Sequence, residues 1–107
     1  MITVTLKPGG MGDKTDPSKK PAEFAGSMAE AMENAFNGLL GSENPPMKTF
    51  KVDTNTPEAR DRRRMFVAIA QGVVRHLKDH AGALAIEDSL NNVIDWHIDI
   101  QVDSTLL

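Results

Sequence analysis

The sequence predicts an α+β domain in which a small sheet of about three strands is covered by two amphipathic helices, in the order β-α-β-α-β. Three patterns predict it. Apolar and polar residues alternate at both ends of the chain, apolar residues recur every three or four positions in two interior stretches, and turn residues such as Gly41, Pro45 and Pro46 separate them. A length of 107 residues suits one domain with a single modest core, taken here as residues 1–107.

The first element is ITVTLK, residues 2–7, whose strict alternation turns Ile2, Val4 and Leu6 toward a core from a short strand. Residues 8–21, PGGMGDKTDPSKKP, crowd glycine, proline, lysine and aspartate together with only Met11 to bury. A flexible loop, or an arm ordered by a partner, is expected there. From Pro21 the period becomes helical: Phe24, Met28, Ala31, Met32, Ala35, Phe36, Leu39 and Leu40 form one stripe, with Gly41 placed to stop it. Met47 to Asp53 reads as a short strand through Phe50 and Val52.

Thr56-Pro57-Glu58 is a strong helix start, because threonine caps, proline suits the first position and an acid favours the positive helix end. The second helix should run to about His80, ahead of Gly82. Its core stripe is predicted as Phe66, Ile69, Ala70, Val73 and Leu77, while Met65, Val67 and Val74 fall on other sides. A helix apolar over so much of its circumference needs cover on two sides, and a small domain has little material for that, which favours oligomerisation. After a loosely patterned stretch from Ala83 to Asn92, Ile94, Trp96, Ile98, Ile100 and Val102 alternate with Asp95, His97, Asp99, Gln101 and Asp103. That last strand should be apolar inward and acidic outward.

Charge is arranged in blocks. The net values are +2 for residues 1–21, −4 for 22–46, +4 for 47–80 and −5 for 81–107. Opposite blocks attract, so they are expected to face one another within the chain or across a subunit contact. The absence of cysteine excludes disulfides, thiol catalysis and cysteine-ligated metal clusters. No apolar run approaches the roughly 18 residues of a membrane span, and the start MITVTLKPGG lacks the order of a signal peptide, so a soluble protein is expected.

Little in the sequence points to catalysis. The glycine-rich loop holds Lys14-Thr15 but carries Asp13 and Pro8 where a phosphate-cradling loop needs glycine, and Asp16-Pro17 where its helix should begin. His76 and His80 stand four apart on one helix face, a spacing that can hold a metal, yet Leu77 occupies the place of a hydrolytic glutamate. Histidines in a last turn also serve simply to complement the negative helix end. Asp95, Asp99 and Asp103 read as a solvated strand face that discourages edge pairing, and Ser27, Ser42, Ser89 and Ser104 have no activating context. No enzyme activity and no cofactor are expected.

The remaining feature is RDRRRMFVAIAQGVVRHL, residues 60–77. Arg60, Arg62, Arg63 and Arg64 sit in the first turns of a helix, where the macrodipole disfavours cations, so another interaction must hold them. Nucleic acid is one candidate, giving the alternative of a small regulator that grips phosphates with Arg60 to Arg64. One tryptophan, four phenylalanines, no tyrosine and an acidic total argue against it. The chain's own acidic segments, a sister subunit or another protein fit the charge blocks better. Arg60, Arg62, Arg63, Arg64, Met65, Val67 and Val74 are therefore the expected partner-binding set.

RRRMFVAIAQGVVRHLKDHAGAL, residues 62–84, resembles an amphipathic helix of small structural proteins of tailed bacteriophages. The resemblance implies a multi-copy virion component of head, neck or tail that works through contacts with itself or with other structural proteins. Without it, the expected location is cytoplasmic. The expected function is thus non-enzymatic assembly.

Overall fold

The computed structural model describes residues 2–81, 86–87, 93–94 and 98–102. Its elements are β1 (Ile2–Leu6), α1 (Met28–Ser42), α2 (Pro57–Asp79), β2 (Ile86–Glu87), β3 (Val93–Ile94) and β4 (Ile98–Val102). The fold is mixed α+β. β1 lies parallel to β4, in register from Ile2 opposite Ile98 to Leu6 opposite Val102. Parallel neighbours need a long crossover, and here it contains both helices. β2 and β3 form a separate antiparallel pair, and α2 packs against both α1 and β4.

The core is Phe24, Ala29, Phe66, Val67 and Ala70, with Met11, Met28 and Met32 packed against it. Val74, Ala59 and Ile100 are buried as well. In β4 the predicted alternation holds at Ile100, which is buried, and Gln101, which is exposed. In β1 Leu6 is half-buried, whereas Val4 is exposed. Gly82, Asp95, Trp96, His97 and Asp103 lie outside the described residues.

The segment expected as the middle strand, Met47 to Asp53, is not a strand. Several of its backbone groups meet side chains instead of a neighbouring strand. Asn37 accepts from the Phe50 N–H (3.0 Å) and donates to the Phe50 carbonyl (3.1 Å), as a ladder partner would. Arg62 donates to the Lys51 carbonyl and Arg63 to that of Val52. Those groups are thereby taken from any strand ladder.

α1 begins at Met28 rather than near Pro21, because Ser27 caps it. The Ser27 hydroxyl accepts from the Glu30 N–H (3.1 Å), and the Glu30 carboxylate accepts from the Gly26 N–H (3.1 Å). This is a variant of the capping box, readable as Ser27-x-x-Glu30. Phe24 stays in the core from the turn before the helix. At the other end α1 runs through Gly41 to Ser42. α2 starts as expected, with Thr56 accepting from the Ala59 N–H and Pro57 in the first turn, and ends at Asp79 with His80 as its cap.

Residues 8–21 form no helix or strand, yet Pro8, Gly9 and Gly10 are buried. The carbonyls of Lys7 and Pro8 accept from the first two free amides of α1, at Met28 (2.8 Å) and Ala29 (3.0 Å). Gly9 has φ of +113°, and a Cβ there would stand 2.7 Å from the Ser27 hydroxyl, so only glycine passes this close to the helix start. Carbonyls further along receive side chains from α2 and its approach: Gln71 donates to Gly9, Arg60 to Met11 and Asn55 to Asp13. These contacts come from within the chain, at the segment whose composition suggests a flexible loop or an arm ordered by a partner.

The Lys20 ammonium stands 2.7 Å from the Glu30 carboxylate. That hydrogen bond, chiefly, holds Glu30 below the ordinary glutamate value; burial opposes it, and the Gly26 N–H and nearby positive charge reinforce it. A depressed folded-state pKa contributes stability that is full above the unfolded value and fades as pH falls toward the folded one. Lys20→Ala is expected to weaken this dependence, seen as a flatter loss of thermal midpoint in a titration from about pH 6 to pH 3.

Candidate functional site

The helix dipole leaves the four arginines without local support, so their partners decide what the first half of α2 can do. Arg62 and Arg63 both point their Nε atoms at the same oxygen of Glu33 on α1, at 3.1 and 3.2 Å. Glu33 and Arg63 are fully buried. The Arg62 guanidinium also lies 3.7 Å from the centre of the Phe50 ring, and that of Arg63 lies 4.8 Å from the centre of Phe24. Each is therefore held by a charge, a carbonyl and an aromatic face together. Arg60 donates to Met11 and to Asn55. Arg64 alone of the four is mostly exposed, and it pairs with Asp61 one turn earlier.

These contacts revise the expected partner-binding set. Arg60, Arg62 and Arg63 hold the chain's own loop and first helix, so the attraction between the −4 and +4 blocks is realised within the molecule. Val67 and Val74 are core residues, not surface. Of that set only Arg64 and Met65 present exposed side chains. Conversely Ile69 and Val73, expected in the core, are 48% and 39% exposed. The buried arc of α2 is centred on Arg63, Phe66, Val67, Ala70 and Val74. It lies rotated from the arc that hydrophobicity alone selects, because Arg63 faces inward to meet Glu33.

The rotation leaves Met65, Ile69 and Val73 as an exposed ridge, each one turn from the next. Phe66 borders this ridge and touches Phe36 of α1, with ring centres 5.9 Å apart. Phe36, and beyond it Leu39, are themselves exposed apolar residues on α1, as is Met47 in the segment that follows. The outer surface of α1 adds no charge, since its only ionised side chains, Glu30 and Glu33, are both paired within the chain. The ridge continues toward the helix end at His76 and His80.

On another side of α2 a groove of about 600 Å³ runs beside the 11–13 segment. Met11, Val67 and Ala68 form its apolar wall, with Gln71, Arg64 and Glu23 at the margins. A smaller hollow lies past Arg64, against Lys14, Pro57 and Arg60. Among the described residues no three histidine, aspartate or glutamate side chains come together as a metal cage, and no helix is long and apolar enough to cross a membrane. The amides that open α1 are taken by the chain's own carbonyls, although they follow a glycine-rich loop as a phosphate site would.

No family model matches this chain, and no curated protein or solved structure is significantly similar to it.

Proposed function

We propose that the chain is a non-enzymatic structural or assembly protein that acts through protein-protein contacts and is present in several copies. The observation that carries this reading is the apolar ridge of Met65, Ile69 and Val73, with Phe36, Leu39 and Met47 exposed as well on α1 and the segment after it. Large apolar side chains left in water gain by being covered, and a second copy offers the same apolar surface in return. The resemblance of residues 62–84 to helices of tailed-phage structural proteins supports a virion component. Phosphate binding through Arg60 to Arg64 has weaker support, since three of those four side chains already have partners inside the chain.

Light scattering coupled to size exclusion tests the reading. The protein should exceed its monomer mass increasingly with concentration, and Ile69→Asp with Val73→Asp should return it to monomer while far-ultraviolet circular dichroism is unchanged. A strict monomer at every concentration and salt level, with or without the other proteins of a virion, would sink the proposal. A steep loss of DNA affinity with added salt, about one logarithmic unit per phosphate contact, would favour the nucleic-acid alternative instead.

A further inference from the structure

β1 meets β4 along one edge, and among the described residues no strand lies along its other edge. Two-stranded sheets are marginal by themselves, and a parallel pair is slightly weaker per residue than an antiparallel one. Thr3, Val4 and Thr5 are all exposed. Open strand edges are ordinarily guarded by a charge, a proline or a bulge. β1, with the sequence ITVTL, holds neither charge nor proline, and its register with β4 runs unbroken from Ile2 to Leu6. Lys7, just beyond the strand, does not stand guard, because its ammonium donates to the Ala22 and Ala25 carbonyls at 2.9 and 2.6 Å. β4, by contrast, carries Asp99.

We propose that the open edge of β1 pairs with the β1 edge of a second copy, antiparallel about a two-fold axis through Val4. The strand's own order of residues selects that occupant. In this register Val4 falls opposite Val4, Thr3 opposite Thr5 and Ile2 opposite Leu6, so apolar positions meet apolar ones and threonine meets threonine. Only a centre at Val4 pairs all five strand residues with one another. Opposite residues share a face, so Val4 and Leu6 of both copies continue the side of the sheet on which Ile100 and Val102 stand. The join thereby covers Val4, an exposed apolar side chain. The inference rests on the assembly reading for its partner and adds a contact separate from the ridge on α2.

Disulfide trapping reads this register directly, since the chain has no cysteine of its own. Opposite Cα atoms of an antiparallel pair stand about 4.5–5.5 Å apart, a distance that a disulfide spans. Val4→Cys in the purified full chain, oxidised with diamide and run on non-reducing gels, should form covalent dimer about tenfold faster than the exposed control Lys78→Cys at equal concentration, because pairing concentrates the two thiols. A one-to-one mixture of Thr3→Cys with Thr5→Cys should cross-link faster than either variant alone. Val4→Cys no faster than the control, or a Thr3→Cys and Thr5→Cys mixture no faster than its components, would each overturn the proposal. Trapping at Val4→Cys should also persist when Ile69→Asp and Val73→Asp are added. Its disappearance there would make it a by-product of the ridge and sink the proposal as well. Five strand residues pair too weakly to govern mass in light scattering, which reads the ridge, so the two readings fail separately.

Discussion

Glu33→Ala is expected to lower the free energy of unfolding by about 3–5 kcal/mol, the usual cost of removing one partner from a buried ion pair. Glu33 is the carboxylate that pairs directly with Arg62 and Arg63, at 3.1 and 3.2 Å. Without it the Arg63 guanidinium stays interior, held by the Val52 carbonyl and the Phe24 face alone. A domain of this size has a total stability of about 5–15 kcal/mol, so the variant should approach unfolding in mild urea. Arg62→Ala should have a smaller effect, because Arg62 is partly exposed and Arg63 still neutralises Glu33.

The pair is not an optimal one. Glu33 Oε1 and Arg63 Nη1 are buried without a hydrogen-bond partner. Replacing both residues by apolar ones of similar volume, Glu33→Leu with Arg63→Met, should therefore cost much less than the sum of the single losses, and can be neutral. Urea unfolding of the two single variants and the double variant checks this. Additive losses would show that Glu33 and Arg63 act independently, contrary to the geometry.

Phe24→Ala is expected to cost a further class of about 3–5 kcal/mol, by opening a cavity where a fully buried ring now packs. The effect is informative because Phe24 precedes α1 instead of lying within it. Its loss also takes the aromatic face from Arg63. Ile69→Ser, on the exposed ridge, should change stability of the monomer by no more than about 0.5 kcal/mol. Thermal or urea unfolding at low concentration separates the two. A large loss at Ile69 with a small one at Phe24 would mean that the helix presents the other arc to the core.

The helices were largely legible from residues alone. Thr56-Pro57-Glu58 placed the start of α2, and a period of three and four residues marked both amphipathic segments. The Ser27 to Glu30 capping pair was equally readable, and it would have moved the start of α1 to its true position. Met47 to Asp53 resembled a strand because local alternation cannot show that Asn37 and two arginines, distant in sequence, satisfy its backbone. Residues 8–21 looked unattached for the same reason. They bury few side chains, and what ties them down is carbonyls meeting Arg60, Asn55 and Gln71, about 40 to 60 residues away.

The arginine cluster marks the boundary most clearly. Composition established that Arg60 to Arg64 needed anionic or polar partners, and the charge blocks left open whether the chain's own acidic segments, a sister subunit or another protein supplies them. Which arginine turned inward was a tertiary outcome. Burying Arg63 is tolerable only where Glu33, the Val52 carbonyl and the Phe24 ring converge on it. Once that convergence orients α2, Val67 and Val74 go to the core, and Ile69 and Val73 go to the surface. Periodicity determines that a helix has an apolar side, because spacing is a local property. Which arc of a broadly apolar helix is covered depends on the sum of contacts from segments far apart in the chain, and only the folded structure decides it.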